Sequence, residues 1–306
     1  MTRRRFLSIA AAAAATPLAV APAHTAPLYQ WRGTALGADA SITLAHPQAE
    51  GIVQSALAEI ARLERIFSLH DRQSALVQLN SGGRLTNPPF ELLECLTLCR
   101  SVHAASGGLF DPTIQPLWAL YAEHHAINRA PSNAALVAAR ARTGWTGLIF
   151  DTTTASLRPG MALSLNGVAQ GYIADRVADL LRAEGLENVL VNTGEFQAIG
   201  GQPQGGAWPV TLDDGERLHR DAVILENEAL ASSAPHGITF DQAGRISHIL
   251  NPLTGQPAPA RWRLISVTAP RAALADALST AFCLMDRAGI ARTLTSFPQA
   301  RLAHLG

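Results

Sequence analysis

The sequence predicts an α+β fold of mixed and antiparallel sheets packed by helices. Segments with apolar residues at helical spacing are interspersed with short, alternating strand-like runs. Strands and helices do not alternate strictly, which disfavours a doubly wound parallel sheet. Hydrophobic residues make up 48% of the 306-residue chain, enough for a substantial core. No repeat or low-complexity linker divides it.

The chain opens Met1-Thr2-Arg3-Arg4-Arg5-Phe6-Leu7-Ser8, followed by an apolar run from Ile9 to Ala15. Small residues then offer exits at Ala21-Pro22-Ala23 and near Ala26. A charged start, a short apolar core and a small-residue exit are the parts of an export signal. The apolar core is shorter than the roughly 20 residues a membrane span requires. The arginine pair before Phe-Leu predicts a twin-arginine-type signal over residues 1–26, an address rather than an anchor. A general secretory signal is the alternative. The remaining domain, 27–306, is expected to be periplasmic and soluble after signal removal.

Tyr29 to Ala45 reads as turn and strand, and Glu50 to Phe67 as an amphipathic helix. Ser68 to Asn80 reads as a polar loop and a short helix, and Pro89 to Ser106 as a helix stopped by Gly107-Gly108. Leu109 to Leu117 reads as irregular, and Ser132 to Arg142 as a surface helix. Gly147 to Leu165 suggests a strand pair turning at Arg158-Pro159-Gly160. Gly171 to Gly185 is expected as a helix and Asn188 to Asn192 as a buried strand. Short strands are expected at Trp208–Leu212, Ala222–Leu225, Ala229–Ser232, Gly237–Phe240 and Arg263–Ala269. A helix is expected from Ala272 to Met285.

The formal net charge is zero, so bulk attraction to nucleic acid is not indicated. The chain has no lysine, which excludes Schiff-base chemistry. Cys95, Cys99 and Cys283 have no metal-finger spacing. They read as buried thiols, although an oxidising compartment would allow one disulfide.

Four segments set small or polar groups at turns between apolar elements. They are Ser106–Thr113, Leu165–Tyr172, His248–Gly255 and Ala275–Thr280. The second opens a helix, where free N–H groups favour an anion such as a pyrophosphate. Carbonyls of the same turn can face a cation, and a purely structural glycine turn is the bland alternative. In the fourth, Asp276 and Thr280 share one helical face. A carboxylate and a hydroxyl suit a hard cation such as Mg²⁺. A capping or solvent-facing aspartate is the alternative. His248 stands near a strand end, as either a structural histidine or a base.

Together, in order and spacing, these segments resemble the FAD:protein FMN transferase, or ApbE, family across nearly the whole mature chain. Gly33-Thr34, the segment Phe67–Leu76 with Ser68 and Ser74, Asn80, Val191-Asn192-Thr193-Gly194 and Ala231-Ser232-Ser233 also fit. The resemblance implies a two-lobed fold with an FAD cleft between the lobes. It implies FAD as donor, a Mg²⁺ ion, attack of a partner protein's Thr or Ser hydroxyl on the FMN phosphorus, and loss of AMP. By position it implies metal ligation by Asp276, Thr280 and the carbonyl of Gly167. His248 is implied as the base or phosphate-positioning residue. His70, Leu109, Phe110, Asp111, Ser164, Gln170 and Ile249 are implied to contact FAD.

The chain departs from the family pattern at several of these places. His70 replaces an aromatic that is often Tyr, and an imidazole stacks over less area. Ser164 stands in place of Asp, Gln170 in place of Lys or Glu, Asn251 in place of Asp, and Glu195 in place of the second Gly of a Gly-Gly pair. These departures point to a divergent subgroup, for which exported accessory proteins of nitrous-oxide respiration are one candidate. The expected partner is an exported or membrane-bound acceptor flavoprotein. A non-catalytic flavin carrier and an FAD pyrophosphatase releasing FMN and AMP are the rival expectations.

Overall fold

The computed structural model describes residues 26–214 and 218–306. The expected export signal lies, up to residue 25, outside the described residues.

Strands β1 (Leu28–Ala35) and β2 (Ala38–Ala45) pair as an antiparallel hairpin. Helix α1 (Ala49–Phe67) then buries Val53, Ala56, Ile60 and Leu63 along one stripe, the helical period at work. Next come α2 (Ala75–Gly82), β3 (Arg84–Thr86) and α3 (Phe90–Ala105). Ser74 caps α2 by accepting the Val77 N–H at 3.0 Å. A single 3-10 turn (Pro112–Ile114) leads into α4 (Gln115–Ala126), and α5 (Asn133–Arg140) follows. Strands β4 (Leu148–Phe150) and β5 (Thr154–Leu157) complete a small sheet with β3. After α6 (Ala169–Ala183) come β6 (Val189–Asn192) and β7 (Phe196–Ile199). The hairpin β8 (Trp208–Asp213) and β9 (Leu218–Leu225) precedes β10 (Ala229–Ser233) and β11 (Ile265–Ala269). Helices α7 (Ala272–Phe282) and α8 (Arg287–Leu294) and strand β12 (Arg301–Leu305) close the chain.

The main sheet has the order β1-β2-β6-β7-β10-β11-β12, and every adjacent pair is antiparallel. Its two faces bury different side chains, as strand alternation requires. Val191, Ile199, Ala231 and Val267 face the core shared with α1, α6 and α7. Leu190, Phe196, Ala198 and Leu230 pack with Trp208 and Val210 of the β8–β9 hairpin. A separate cluster of Leu117, Tyr121, Leu136, Ala139 and Leu250 forms a smaller body around α4 and α5. The α+β class expected from sequence is the observed one.

Several local expectations are corrected. The strand pair at 148–157 turns at Asp151–Thr153, not at Arg158-Pro159-Gly160. The Asp151 carboxylate accepts the N–H groups of Thr153 and Thr154, forming the turn before the proline is reached. Residues 237–240 form no strand and make one isolated bridge, Thr239 to Ser247. Helix α4 begins inside the Pro-punctuated segment Leu109–Leu117 that reads as irregular. Pro116 sits in the first turn, where a missing N–H costs nothing. Strand β7 is buried on both faces and shows no alternation to read. All three cysteines are free and buried, as expected.

The crossing of α6 and α7 organises the helix layer. A Cβ at Gly171 would lie 2.4 Å from the carbonyl oxygen of Ala272, so only glycine permits this approach. Helix α7 begins at Arg271 without a side-chain cap of its own. Asp175 of α6 fills that role, accepting the N–H groups of Ala272 at 2.7 Å and Ala273 at 3.0 Å. Arg271 reaches back to Asp179 through two hydrogen bonds of 2.6 and 2.7 Å. Burial raises the Asp175 carboxyl to about 6, against the opposing pull of Arg271 and the two amides.

Gly171→Ala is therefore expected to destabilise the fold by about 1–3 kcal/mol through overpacking at the crossing. Chemical denaturation measures this, and an unchanged unfolding midpoint counts against the close approach.

Candidate active site

The site grows from α7 and the two strand ends facing it. Asp276 is buried, and its carboxylate accepts the Gly171 N–H at 3.2 Å. Thr280 lies one turn further along the same helix. A Cβ on Gly167 would come within 2.8 Å of the Thr280 hydroxyl oxygen, so the turn before α6 lies against that side chain. The structure thus brings Gly167, Asp276 and Thr280 together, as the sequence pattern anticipates. The solvent-facing alternative for Asp276 is excluded by its 3% exposure.

Neighbours that sequence reasoning left without a role complete the arrangement. The Ser233 hydroxyl, at the end of β10, lies 2.7 Å from the Ser279 hydroxyl and 3.4 Å from that of Thr280. Glu195, just before β7, is buried and accepts the Ser232 N–H at 3.0 Å. Its sequence signal was the departure from the family pattern, Glu195 in place of the second Gly of a Gly-Gly pair. Gln170 is held over the β6–β7 turn. Its carbonyl accepts the Thr193 hydroxyl at 2.8 Å, and its side chain lies where a Cβ on Gly194 would need to be. Gly194 has φ +102°, a conformation that suits glycine.

The electrostatics are those of an uncompensated acidic site. Burial raises the Asp276 carboxyl to about 7, opposed by the Gly171 N–H and reinforced by Asp175. Burial also raises Glu195 well above the carboxylate range, with the Asp276 charge adding to it. No group of three or more His, Cys, Asp or Glu side chains that could hold a metal occurs among the described residues. A cation at Asp276 would therefore depend on hydroxyl, backbone and substrate oxygens. That donor set suits Mg²⁺ and not a thiophilic metal. The residues present fit such an ion.

His248 sits on a strap that leaves β10 immediately after Ser233. Its Nδ1 lies 2.8 Å from the Ile238 carbonyl oxygen. The Ser247 hydroxyl ties the strap together by donating to the Pro235 carbonyl at 2.6 Å. Burial lowers the His248 pKa, against the Ile238 and Pro235 carbonyls. Ile249 is partly buried against the main core, and its N–H donates to Ser247 Oγ. No direct contact joins His248 to Asp276 or Thr280 among the described residues; chain continuity through the strap relates them.

The remaining candidates lie further out. The Ser164 N–H donates to the Pro112 carbonyl at 2.8 Å, which brings the first and second segments side by side. Leu109 packs on the main core, and Phe110 is buried. The Asp111 carboxylate is occupied: it accepts from the N–H and hydroxyl of Thr113 and from the Trp145 N–H. A cavity of about 440 Å³ opens beside it, walled by His103, Gly108, Trp145 and Leu253 among others. His103 and Trp145 stack there with centroids 5.2 Å apart. Its wall includes neither Asp276, Thr280 nor His248. His70 is exposed, in the bend before α2.

Fold and site define a protein with an acidic, oxygen-rich centre at a helix crossing, and a histidine-bearing strap that leaves the sheet at Ser233 beside it. The ApbE family pattern matches residues 36–303, and the chain belongs to this family. The FAD:protein FMN transferase of Klebsiella pneumoniae (strain 342) is 27% identical over 270 residues, covering 83% of this chain and 75% of that protein. The Escherichia coli K12 protein of the same name is 27% identical over 237 residues, covering 72% and 67%. The flavinyl transferase ApbE of Pseudomonas stutzeri, solved in its apo form, superposes with a TM-score of 0.80 at 26% identity over 90% of this chain and 91% of that one. The Thermotoga maritima ApbE protein does so with 0.80 at 27%, over 90% and 93%. The chain is an enzyme of the transferase class.

A carboxyl raised by folding is protonated more readily in the native state, so its contribution to stability declines as pH rises through the folded pKa. Without divalent cations, the Asp276 contribution is thus lost between about pH 4 and about pH 7. Asp276→Asn is expected to gain thermal stability relative to the native protein on moving from pH 5 to pH 8 in EDTA. A constant difference in melting temperature would contradict the burial effect.

Proposed function

We propose that this chain transfers FMN from FAD to a Thr or Ser hydroxyl of a partner flavoprotein, with Mg²⁺ and with release of AMP. The observation that carries this reading is the convergence of Asp276, Thr280 and the Gly167 turn at one buried acidic centre. The carboxylate of Asp276, the hydroxyl of Thr280 and the carbonyl of Gly167 would hold the ion. When bound, Mg²⁺ supplies charge neutralisation at the diphosphate oxygens.

The chain's own groups account for the rest. The Ile238 carbonyl fixes His248 with its proton on Nδ1, leaving Nε2 as an acceptor. A lowered pKa keeps this imidazole neutral near pH 7 and able to take the proton of the attacking hydroxyl. The new bond joins the acceptor oxygen to the FMN phosphorus. The bond that breaks joins that phosphorus to the bridging oxygen, which leaves with AMP. Gln170, braced on the Gly194 turn, would donate to the cofactor. Leu109, Phe110 and Asp111 would contribute backbone and cavity wall, with Ser164, Ile249 and the exposed His70 as further FAD contacts.

The acceptor in this reading is an exported or membrane-bound flavoprotein of a respiratory system, with nitrous-oxide reduction as the candidate setting. The N-terminal pattern at residues 1–26 supports the exported, periplasmic setting, and the departures at Ser164, Gln170 and Asn251 are the basis for the respiratory one.

Purified protein incubated with FAD, Mg²⁺ and such an acceptor is expected to produce covalent flavin fluorescence on the acceptor and an equivalent of AMP. EDTA should abolish both. His248→Ala is expected to slow transfer by about 10²–10⁴-fold while FAD affinity changes much less. Equal losses in rate and affinity would assign His248 a structural role. AMP and free FMN without acceptor would indicate a pyrophosphatase, and bound FAD without turnover a carrier.

A further inference from the structure

We infer that Glu195 is a positioning residue of the cation site, supplying a second buried negative charge beside Asp276. The inference rests on the Mg²⁺ reading given above and extends it to a residue outside the proposed ligand set.

Strand alternation sets the direction of this side chain. Phe196 and Ala198 belong to the cluster on the hairpin face, whereas Ile199 belongs to the helix-facing core. Glu195, one residue before β7, continues the parity of Ile199 on the side of the sheet covered by the layer that contains α7. On β10, Ala229 and Ala231 also face this core. Ser233 has the same parity and meets Ser279 and Thr280. Two neighbouring strand ends therefore present a carboxylate and a hydroxyl to the same helix.

Glu195 is 6% exposed, and its carboxylate accepts the Ser232 N–H. That bond also holds the end of β10, one residue before Ser233. No ion pair to Glu195 occurs among the described residues, although the chain carries 24 arginines. Gln197, two residues along with the same parity, is fully buried, and its side-chain oxygen has no partner. This face of the sheet is rich in acceptors and poor in positive charge. Burying a carboxylate beside another is costly unless a cation or a proton offsets it. A divalent ion held by Asp276 and Thr280 would provide that offset. In return, Glu195 would strengthen the field at the ion and anchor the serine that orients Thr280.

The test is cation binding rather than turnover. Mn²⁺ serves as the probe, followed by electron paramagnetic resonance in the presence of FAD and checked by Mg²⁺ competition. Native protein, Glu195→Gln, Glu195→Asp and Asp276→Asn are compared. Glu195→Gln is expected to weaken Mn²⁺ binding by roughly tenfold or more, within the range for outer-shell partners. Its melting temperature in EDTA should be equal to or above that of the native protein, because an amide removes the repulsion. Glu195→Asp should retain most of the affinity, since it keeps the charge. Glu195→Gln affinity within about twofold of native overturns the inference, as do equal losses in the Gln and Asp variants; the twofold margin is small beside the outer-shell range. Native protein that binds Mn²⁺ and loses it in Asp276→Asn upholds the cation reading whatever Glu195 does. Native protein that binds none overturns both.

Discussion

The structure depends on one contact, the crossing of α6 over the start of α7. Gly171 permits the approach, Asp175 caps the helix that lacks its own cap, and Arg271 fastens the joint to Asp179. The same crossing gives the Asp276 carboxylate its backbone donor, the N–H of Gly171. Fold and site are therefore not separable here. A side chain at 171 would displace both the helix that carries the acidic residue and the turn that faces it.

The crossing also concentrates negative charge where little water reaches. Asp175 is compensated by two amides and an arginine, so its burial is structural. Asp276 and Glu195 receive one backbone N–H each, which leaves an unmet demand for positive charge. Burial is the leading cause of both raised carboxyls, and proximity adds to it. A protein that needed only a core would gain by making these positions apolar. The proposed cation, with a diphosphate completing its shell, would offset this cost.

The strap between β10 and β11 carries a second kind of chemistry, an imidazole. It leaves the sheet at Ser233, whose hydroxyl is already engaged with α7, and returns carrying His248. Carbonyls along the strap decide which imidazole nitrogen holds the proton. Polar turns rather than regular strands build this segment, and that explains why the strand expected at 237–240 is absent.

Periodicity made α1, α3 and α5 readable, because each buries one stripe and exposes another, while α6 and α7, buried over most of their surface, were readable from their length and flanking turns. It could not reveal β7, which is buried on both faces, or the start of α4, where Pro116 resembles a breaker until it is seen in the first turn. The helical spacing of Asp276 and Thr280 was sufficient to place them on one face, and the glycine turn at 167 was visible as a turn. Spacing and composition alone could not show which turn meets which helix, since that contact joins residues more than a hundred positions apart; only the family resemblance implied it. The role of Asp111 is a similar case: its motif was legible, but its engagement with Thr113 and Trp145 was not. Local chemistry and hydrophobic period are properties of neighbours along the chain, so the sequence determined the elements and the candidate groups. Burial, the mutual charge of Asp276 and Glu195, and the capping of α7 by Asp175 arise between distant segments, and only the tertiary structure decided them.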